Sequence, residues 1–423
     1  MSQIDGGRRR LGFVFHPRSF ATLSIVEAAR GLCDLVWIVD TGDPRLESMT
    51  RLLSRLGTVV DVAGMSGAEA AQLVRQERLD GVLALADELL EWTALLAASL
   101  GLPFHSVETT RLLTDKFAQR ATFRAAGLPA PGSWIVHRGT AEDGWSRVRD
   151  EASFPAVLKP RRGEGSRNTM AVGSISEVRS IVEALEDSED ERSDREWVLE
   201  EYIPDAHVEL CGAAFANYVS VEAFVCEGRI TTLAVTGRTP PAWPFRETGF
   251  FIPAEIDGKH AAAVVDAATG AARALGITIG CLHTEVKLTA AGPVVIEVNG
   301  RIGGGVPEML ELTTGIDFLE IAIRLALGEH VDVDTLEPRG LGYLLYVQAP
   351  DHIHRITAVT GLDDLKSTPG VREVVLNRGP GYDVDWRDGN HGHVYSVLGT
   401  ADDHDGLRAA LERVPELVRI DGV

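Results

Sequence analysis

The sequence predicts a chain of α/β and then α+β character: a Rossmann-like parallel sheet first, a strand-rich middle, and a small α+β unit last. Three observations lead there. Residues 11–110 alternate apolar β-branched runs with helical runs, the pattern of a parallel sheet covered by helices. The run VVIEVNGRIGGG, residues 294–305, is a strand that ends in a glycine-rich turn just before a helical pattern. After Gly328 short strands dominate and a single helix closes the chain.

Taken in order, LGFVF is a strand and Ser19 to Leu32 a helix, LVWIVD a strand and Pro44 to Leu56 a helix. TVVDVA with the helix Ala68 to Gln76, and GVLALA with the helix Glu88 to Leu100, complete the alternation. The first strand runs into HPRS and not into GxGxxG, which argues against dinucleotide binding. Asp40, at the end of the second strand, is a candidate ligand contact at the sheet's carboxyl edge, although a polar strand end in a turn is the better account by about twofold. Thr114-Asp115 caps a helix that runs to Ala126 and stops at Gly127 before PAPG. Strands at Trp134 to His137 and Ala156 to Lys159 flank a segment from Trp145 to Glu151. The glycine-rich turn RRGEGSRN leads into MAVGSI and a helix from Ser176 to Leu185. Residues 186–196 alternate in charge and read as a solvated loop.

WVLEEYI is a strand, and SVEAFVCEGRITTLAVTGR is a hairpin turning at Glu227-Gly228. PPAWPFRETGFFIPAEI reads as a Pro- and aromatic-rich loop, and Asp257 to Leu275 as a long helix. HTEVKL and VVIEVN make a second hairpin, and the helix from Val306 to Leu327 is broken near Gly315. GYLLYVQA, ITAVTG, REVVLNR and HVYSVLGT are the late strands, followed by a helix from Asp403 to Val414.

A chain of 423 residues with 45% apolar and 24% charged residues supports two to four soluble domains. The net charge of −21 argues against a nucleic-acid or anionic-membrane partner. No apolar stretch reaches a membrane span, and the run after Arg8–Arg10 is too short for a signal-peptide core. Cys33, Cys211, Cys226 and Cys281 lie far apart without CxxC spacing and read as reduced core thiols of a cytoplasmic protein.

The chemistry concentrates in three places. Glu297 and Asn299, two apart on a strand, share a face, and Glu285 sits on the neighbouring strand. Two close carboxylates repel unless a cation or proton lies between them, so Glu285, Glu297 and Asn299 form a candidate Mg²⁺ platform. Lys159 ends a Val-rich strand before KPRRGEGS, whose glycines let backbone N–H groups approach phosphate oxygens. The turn is not a P-loop, since no GK[ST] follows. Lys116 sits in the first turn of its helix, where a cation opposes the macrodipole and suggests an anion nearby.

These residues, in this order, resemble the ATP-grasp superfamily. The likeness runs from about Gly81 to Gly328 and rests on TDKFAQRATFRAAGLPAPGSWIV, FPAVLKPRRGEGS, WVLEEYIP, SVEAFVCEGRI and GCLHTEVKLTAAGPVVIEVNGRIGGG together. It implies an ATP-grasp fold with a pre-ATP-grasp domain at 1–111, an ATP-grasp domain at 112–330 with a lid at about 135–200, and a C-terminal α+β domain at 331–423.

The resemblance also implies roles. Lys116 and Lys159, with Gly165 and Ser166 of the glycine loop, would contact ATP phosphates. Glu200, Glu201 and Ile203 would lie beside adenine. Glu285, Glu297 and Asn299 would bind two Mg²⁺, with Mn²⁺ an acceptable substitute. Arg301 and the amides of Gly304 and Gly305 would hold the reacting carboxylate or acyl phosphate. Two departures stand out: a longer segment after Glu201 leaves Glu209 for the ribose, and Arg167 and Asn168 occupy loop positions where small residues are commoner.

His283-Thr-Glu285-x-Lys287, the loop ending in FFIP and the C-terminal unit look most like the L-amino-acid ligase branch. That branch implies a carboxylate–amine ligase joining an amino acid or related acid to an amine, with release of ADP and phosphate. His283, Lys287 and Glu222 become candidate substrate contacts, and Trp243 and Phe245 candidate pocket walls. Dimerisation through the N- or C-terminal domain is implied by the resemblance as well. A biotin-carboxylase-like bicarbonate-activating enzyme and a non-catalytic nucleotide-binding protein are the alternatives.

Overall fold

The computed structural model describes residues 8–17, 20–43, 46–186, 196–206, 210–212, 214–333 and 337–423. The expected ribose contact Glu209, most of the charge run, and Arg18 and Ser19 of HPRS lie outside the described residues.

Strands β1 (Arg10–Val14), β2 (Asp34–Val39), β3 (Thr58–Asp61) and β4 (Gly81–Ala84) alternate with helices α1 (Thr22–Ala29), α2 (Glu47–Leu56), α3 (Gly67–Val74) and α4 (Asp87–Leu100). The strands form a parallel sheet in the order β3-β2-β1-β4. Both faces are covered, so LVWIV of β2 is a continuous buried run and not an alternating one. Trp37 at its centre is fully buried and meets Phe13 edge-on at 5.5 Å. An aromatic pair of this kind contributes about 0.5–1.5 kcal/mol beyond its buried area.

Helices α5 (Val107–Leu113) and α6 (Lys116–Ala125) carry the chain onward, α6 being capped by Asp115, whose side chain accepts from Ala118 N–H. A small antiparallel sheet follows, built from β5 (Ser133–Val136), β6 (Ala156–Pro160), β7 (Met170–Val172) and β8 (Trp197–Glu201) in the order β5-β8-β6-β7. Helices α7 (Glu142–Glu151) and α8 (Ile175–Glu186) cover one face of it. Trp134, Trp145, Val178, Val182 and Trp197 give this small unit a core of its own.

The main sheet has eight antiparallel strands in the order β13-β12-β9-β10-β11-β14-β17-β16. Its members are β9 (Tyr218–Cys226), β10 (Arg229–Arg238), β11 (Gly249–Ile252), β12 (Gly280–Thr289), β13 (Gly292–Asn299), β14 (Leu341–Val347), β16 (Val371–Leu376) and β17 (Tyr395–Ala401). Between them in sequence lie α9 (Gly258–Ala274), α10 (Val306–Thr314), α11 (Phe318–Ala326), β15 (Ile356–Thr360) and α12 (Leu362–Lys366). The chain ends in α13 (His404–Leu417) and β18 (Arg419–Gly422), and β15 and β18 pair in a separate ribbon.

Alternation sorts the main sheet's two faces. Val221, Ala223 and Val225 of β9 pack in one core with Val264 and Ala268 of α9, while Phe224 and Cys226 pack in another with Met309 and Leu310 of α10. The second core also takes in Leu11, Phe13 and Trp37, so the parallel sheet is fused to α10 and α11 through apolar contact.

One feature differs from the sequence expectation. GFFI of the Pro- and aromatic-rich segment is not loop but strand β11, pairing with β10 and β14. Through it the late strands β14, β17 and β16 extend the platform sheet. The physical reason is that four residues carry too weak a period to be told from loop, and only the two flanking strands supply their partners. Among the described residues, no helix is long and apolar enough to cross a membrane.

Candidate active site

The four cysteines are free and buried. A cavity of about 470 Å³ opens between the small sheet and the platform. Lys116 and Lys159, the loop from Gly163 to Arg167, Glu200 to Ile203, and Glu285, Lys287, Ile296 and Glu297 all line it.

On the platform, β12 and β13 pair so that Glu285 stands directly opposite Glu297, and His283 opposite Asn299. A register shift between Glu285 and Val286 leaves Ile296 as an extra residue on β13. This bulge interrupts alternation, so that consecutive residues Ile296 and Glu297 both face the cavity. Ile296 escaped the sequence reading because strict two-residue spacing hides it. Among the described residues, no three His, Cys, Asp or Glu side chains converge as a ready-made metal cluster. Glu285 and Glu297 line the cavity, whereas the expected third ligand Asn299 is buried behind its lining, its NH₂ donating to His283 O at 3.3 Å.

The cations come from the other side. Lys116 Nζ lies 3.2 Å from Glu297 and donates to Gly163 O, tying the platform to the glycine loop. Lys159 Nζ lies 2.8 Å from Glu200, and Arg120 Nε lies 3.1 Å from the same carboxylate. Burial alone would raise the Glu200 carboxyl, but Arg120 and Lys159 outweigh it and hold it below the usual range. Burial also lowers the Lys159 ammonium, against the opposing pull of Glu200. Arg120 was missed by sequence reading, although its four-residue spacing from Lys116 puts both on one face of α6.

Glu201 turns away from Glu200. Its carboxylate accepts from Gly132 N–H at 2.7 Å and its own N–H donates to Gly132 O, which locks the strand leading to Ile203. Lys287 pairs with Asp205 at this same end of the cavity. His283 lies buried about 13 Å back along β12 at strand rise.

At that far end, buried charges are stacked in layers. Glu222 is fully buried, accepting from Ser220 Oγ at 2.6 Å and Thr236 Oγ1 at 3.0 Å, with His283 Nδ1 at 2.9 Å. It therefore supports His283 from below. Burial would lower the His283 pKa, but Glu222 raises it to about 9. The protonated ring donates to Glu222 and turns Nε2–H toward Glu285, 3.7 Å away. Burial likewise works to raise Glu285, yet His283 and Arg238 bring it down to about 2. Arg238 lies 3.3 Å from His283, is paired with Glu247 at 3.2 Å, and is stacked 4.1 Å over Phe250. Two such close cations are tolerated because Glu222, Glu247 and Glu285 surround them. Gly303 packs on this ring: a Cβ there would lie 2.4 Å from His283 Nδ1.

Arg301 is bonded to Asp87 Oδ2 at 2.6 Å through Nη2 and 3.0 Å through Nε, and to Glu164 at 3.3 Å. One guanidinium thus joins the parallel sheet's α4, the platform and the glycine loop. Burial raises the Asp87 carboxyl to about 7 despite Arg301. Gly304 is exposed, and Gly305, at φ +73°, opens α10. Trp243 is 65% exposed and lies 5.5 Å from Trp386, outside the cavity lining, whereas Phe245 lines the cavity with Glu247 and Asn390.

Residues 152–308 match the family described as the ATP-grasp domain. The chain is 27% identical over 346 residues to the uncharacterized protein y4rH of Sinorhizobium fredii (strain NBRC 101917 / NGR234), covering 81% of this chain and 64% of that protein. It is 28% identical over 321 residues to carnosine synthase 1 of Homo sapiens, covering 70% of this chain and 37% of that one. The chain thus spans less than two thirds of the length of these relatives. The crystal structure of an L-amino acid ligase from Bacillus licheniformis superposes with a TM-score of 0.77 over 99% of both chains, at 21% identity, a likeness of fold. Residues 152–308, which include most of the cavity-lining strands, thus match an ATP-grasp domain, and the chain shares the fold of that ligase from end to end.

Proposed function

We propose that this protein is an ATP- and Mg²⁺-dependent carboxylate–amine ligase that joins an amino acid or related acid to an amine, often a second amino acid. The observation that carries the reading is the single cavity in which Lys116 and Lys159 face Glu285 and Glu297 beneath a glycine loop. Names of relatives that end in synthase and ligase support it.

In this reading Lys116, Lys159, Gly165 and Ser166 take the ATP phosphates, and Glu201 and Ile203 border the adenine. Glu200 acts mainly by fixing Lys159. The donor set fits a hard cation, since Glu285 and Glu297 offer carboxylate oxygens to the cavity, with Asn299 buried beside them on β13. When bound, two Mg²⁺ or Mn²⁺ ions would offset charge developing on the phosphates. The substrate carboxylate takes the γ-phosphoryl group, giving an acyl phosphate and ADP. The amine then attacks the acyl carbon and phosphate leaves. Arg301 and the Gly304 and Gly305 amides are proposed to hold the reacting carboxylate, and freeing Arg301 requires the substrate to replace Glu164 or Asp87 as its partner. His283, held protonated by Glu222, is proposed to orient an anionic substrate group, and Lys287 to close the nucleotide end. The division at residues 111 and 330 belongs to the same proposal, with the small sheet as lid. So does a homodimer, which rests on the resemblance alone. A cytoplasmic location is supported by the four free buried cysteines.

The test is phosphate release from Mg²⁺-ATP over pairs of amino acids, with mass detection of the amide. ADP formation that depends on an acid–amine pair is expected. Turnover with bicarbonate and biotin but with no pair would transfer the protein to the bicarbonate-activating class, and neither turnover nor a nucleotide-induced thermal shift would leave a non-catalytic protein.

A further inference from the structure

The segment Trp386–Gly392 is a pair of short 3₁₀ turns kinked at Gly389, lying between β16 and β17 and far in sequence from the glycine loop. Nothing in its composition marks it as part of a site, yet it lies directly on that loop. Asn390 N–H donates to Gly165 O at 2.8 Å, and Asn168 N–H donates to Arg387 O at 3.2 Å. Between these two bonds sits Gly389 at φ +60° and ψ −133°. A Cβ there would lie 2.2 Å from Gly165 O and 2.7 Å from Arg167 N, so close approach of the two backbones requires glycine.

The Asn390 side chain faces the other way, toward the main sheet. Its Oδ1 accepts from Glu247 N–H at 2.9 Å, and its Nδ2 donates to Glu247 Oε2 at 2.6 Å. Glu247 in turn pairs with Arg238, which lies against His283. Trp386 packs on the hydrophobic core of the small sheet. One residue therefore grips the glycine loop with its backbone and the far-end carboxylate with its side chain, and both Asn390 and Glu247 line the cavity.

We propose that Asn390 is a positioning residue, the pin of a latch by which Trp386–Gly392 holds the glycine loop closed while seating Glu247 at the substrate end. The inference rests on reading Gly163–Arg167 as the nucleotide-phosphate loop. Its consequence is coupling: the loop does not lift without breaking bonds to the residue that orients Glu247. An open site is then also one whose far end is unset, and water reaches an activated intermediate only when the latch is undone. The charge-assisted bond to Glu247 and the bidentate geometry make this stronger than ordinary loop packing.

The test is hydrogen exchange on the full chain, with and without Mg²⁺ and a non-hydrolysable ATP analogue, followed on peptides covering residues 163–170 and 385–393. Asn390→Ala and Gly389→Ala attack the latch independently, one removing the grip on Glu247 and the other forcing the backbones apart. Each is expected to speed exchange in both segments about tenfold. In turnover, each is expected to raise the ADP formed per amide several-fold, a shift toward hydrolysis that simple destabilisation would not produce. Unchanged exchange at 163–170 in unliganded Gly389→Ala overturns the latch whether or not nucleotide binds. A wild-type protein that gains no protection from the analogue overturns the ligase reading instead, so the two failures are distinct.

Discussion

Glu285 and Glu297 face each other across β12 and β13 as a direct cross-strand pair, and the cation nearest them is Lys116, 3.2 Å from Glu297. Like charges in register on neighbouring strands work against the sheet by roughly 0.2–1 kcal/mol. A pair kept in that position at the wall of a cavity is what a divalent cation would make favourable.

Glu297→Gln relieves that repulsion but also removes the ionic partner of Lys116, so the two effects offset and the melting temperature of the unliganded protein should change little. The substitution should cut ATP turnover about a hundredfold or more, as loss of a charge-stabilising group does. Turnover within threefold of wild type would remove Glu297 from the metal platform.

Glu200 holds two buried cations at once, Lys159 and Arg120. Glu200→Leu leaves both uncompensated and should cost about 3–5 kcal/mol, read as a lower urea midpoint. Adding Arg120→Met to that variant should recover part of the loss. A double variant no more stable than the single one would show that the cluster does not act as a charge unit.

His105 is buried with Nε2 3.1 Å from Gly300 O, and burial depresses its pKa to about 4. The neutral ring thus contributes stability that is fully present above the unfolded value near 6.5 and is lost as pH falls toward 4. At 1.36 kcal/mol per unit, the loss is about 3 kcal/mol. His105→Gln should flatten the stability profile over that window, and an unaltered slope in pH-dependent urea unfolding would contradict the assignment.

Trp243 and Phe245 are two residues apart and were equal candidates for a pocket wall, yet only Phe245 lines the cavity. Phe245→Ala should raise the KM for one substrate about tenfold, whereas Trp243→Ala should change it less than threefold. The reverse order would place the substrate outside this cavity.

Much of the architecture was legible because it is local. The strand and helix alternation of residues 11–100, the Asp115 cap, the hairpin at Glu227-Gly228 and the break at Gly315 are written in period and punctuation, and the structure has each of them. Lys116, Lys159, Glu285 and Glu297 line one cavity; strand spacing placed only the two carboxylates side by side, and the lysines were set beside them by the family resemblance alone.

What the sequence by itself determined about this protein, then, is the set of elements and the side chains at their ends, because backbone preference and apolar period act over a few residues. Only the tertiary structure decided the partners. It put Asp87 on Arg301 across 214 residues, sank Glu222 beneath His283, turned GFFI into a strand, and laid Asn390 against both Gly165 and Glu247. These are pairings of polar groups that burial forces to find a complement, and which complement lies within reach is a property of packing that no local spacing encodes.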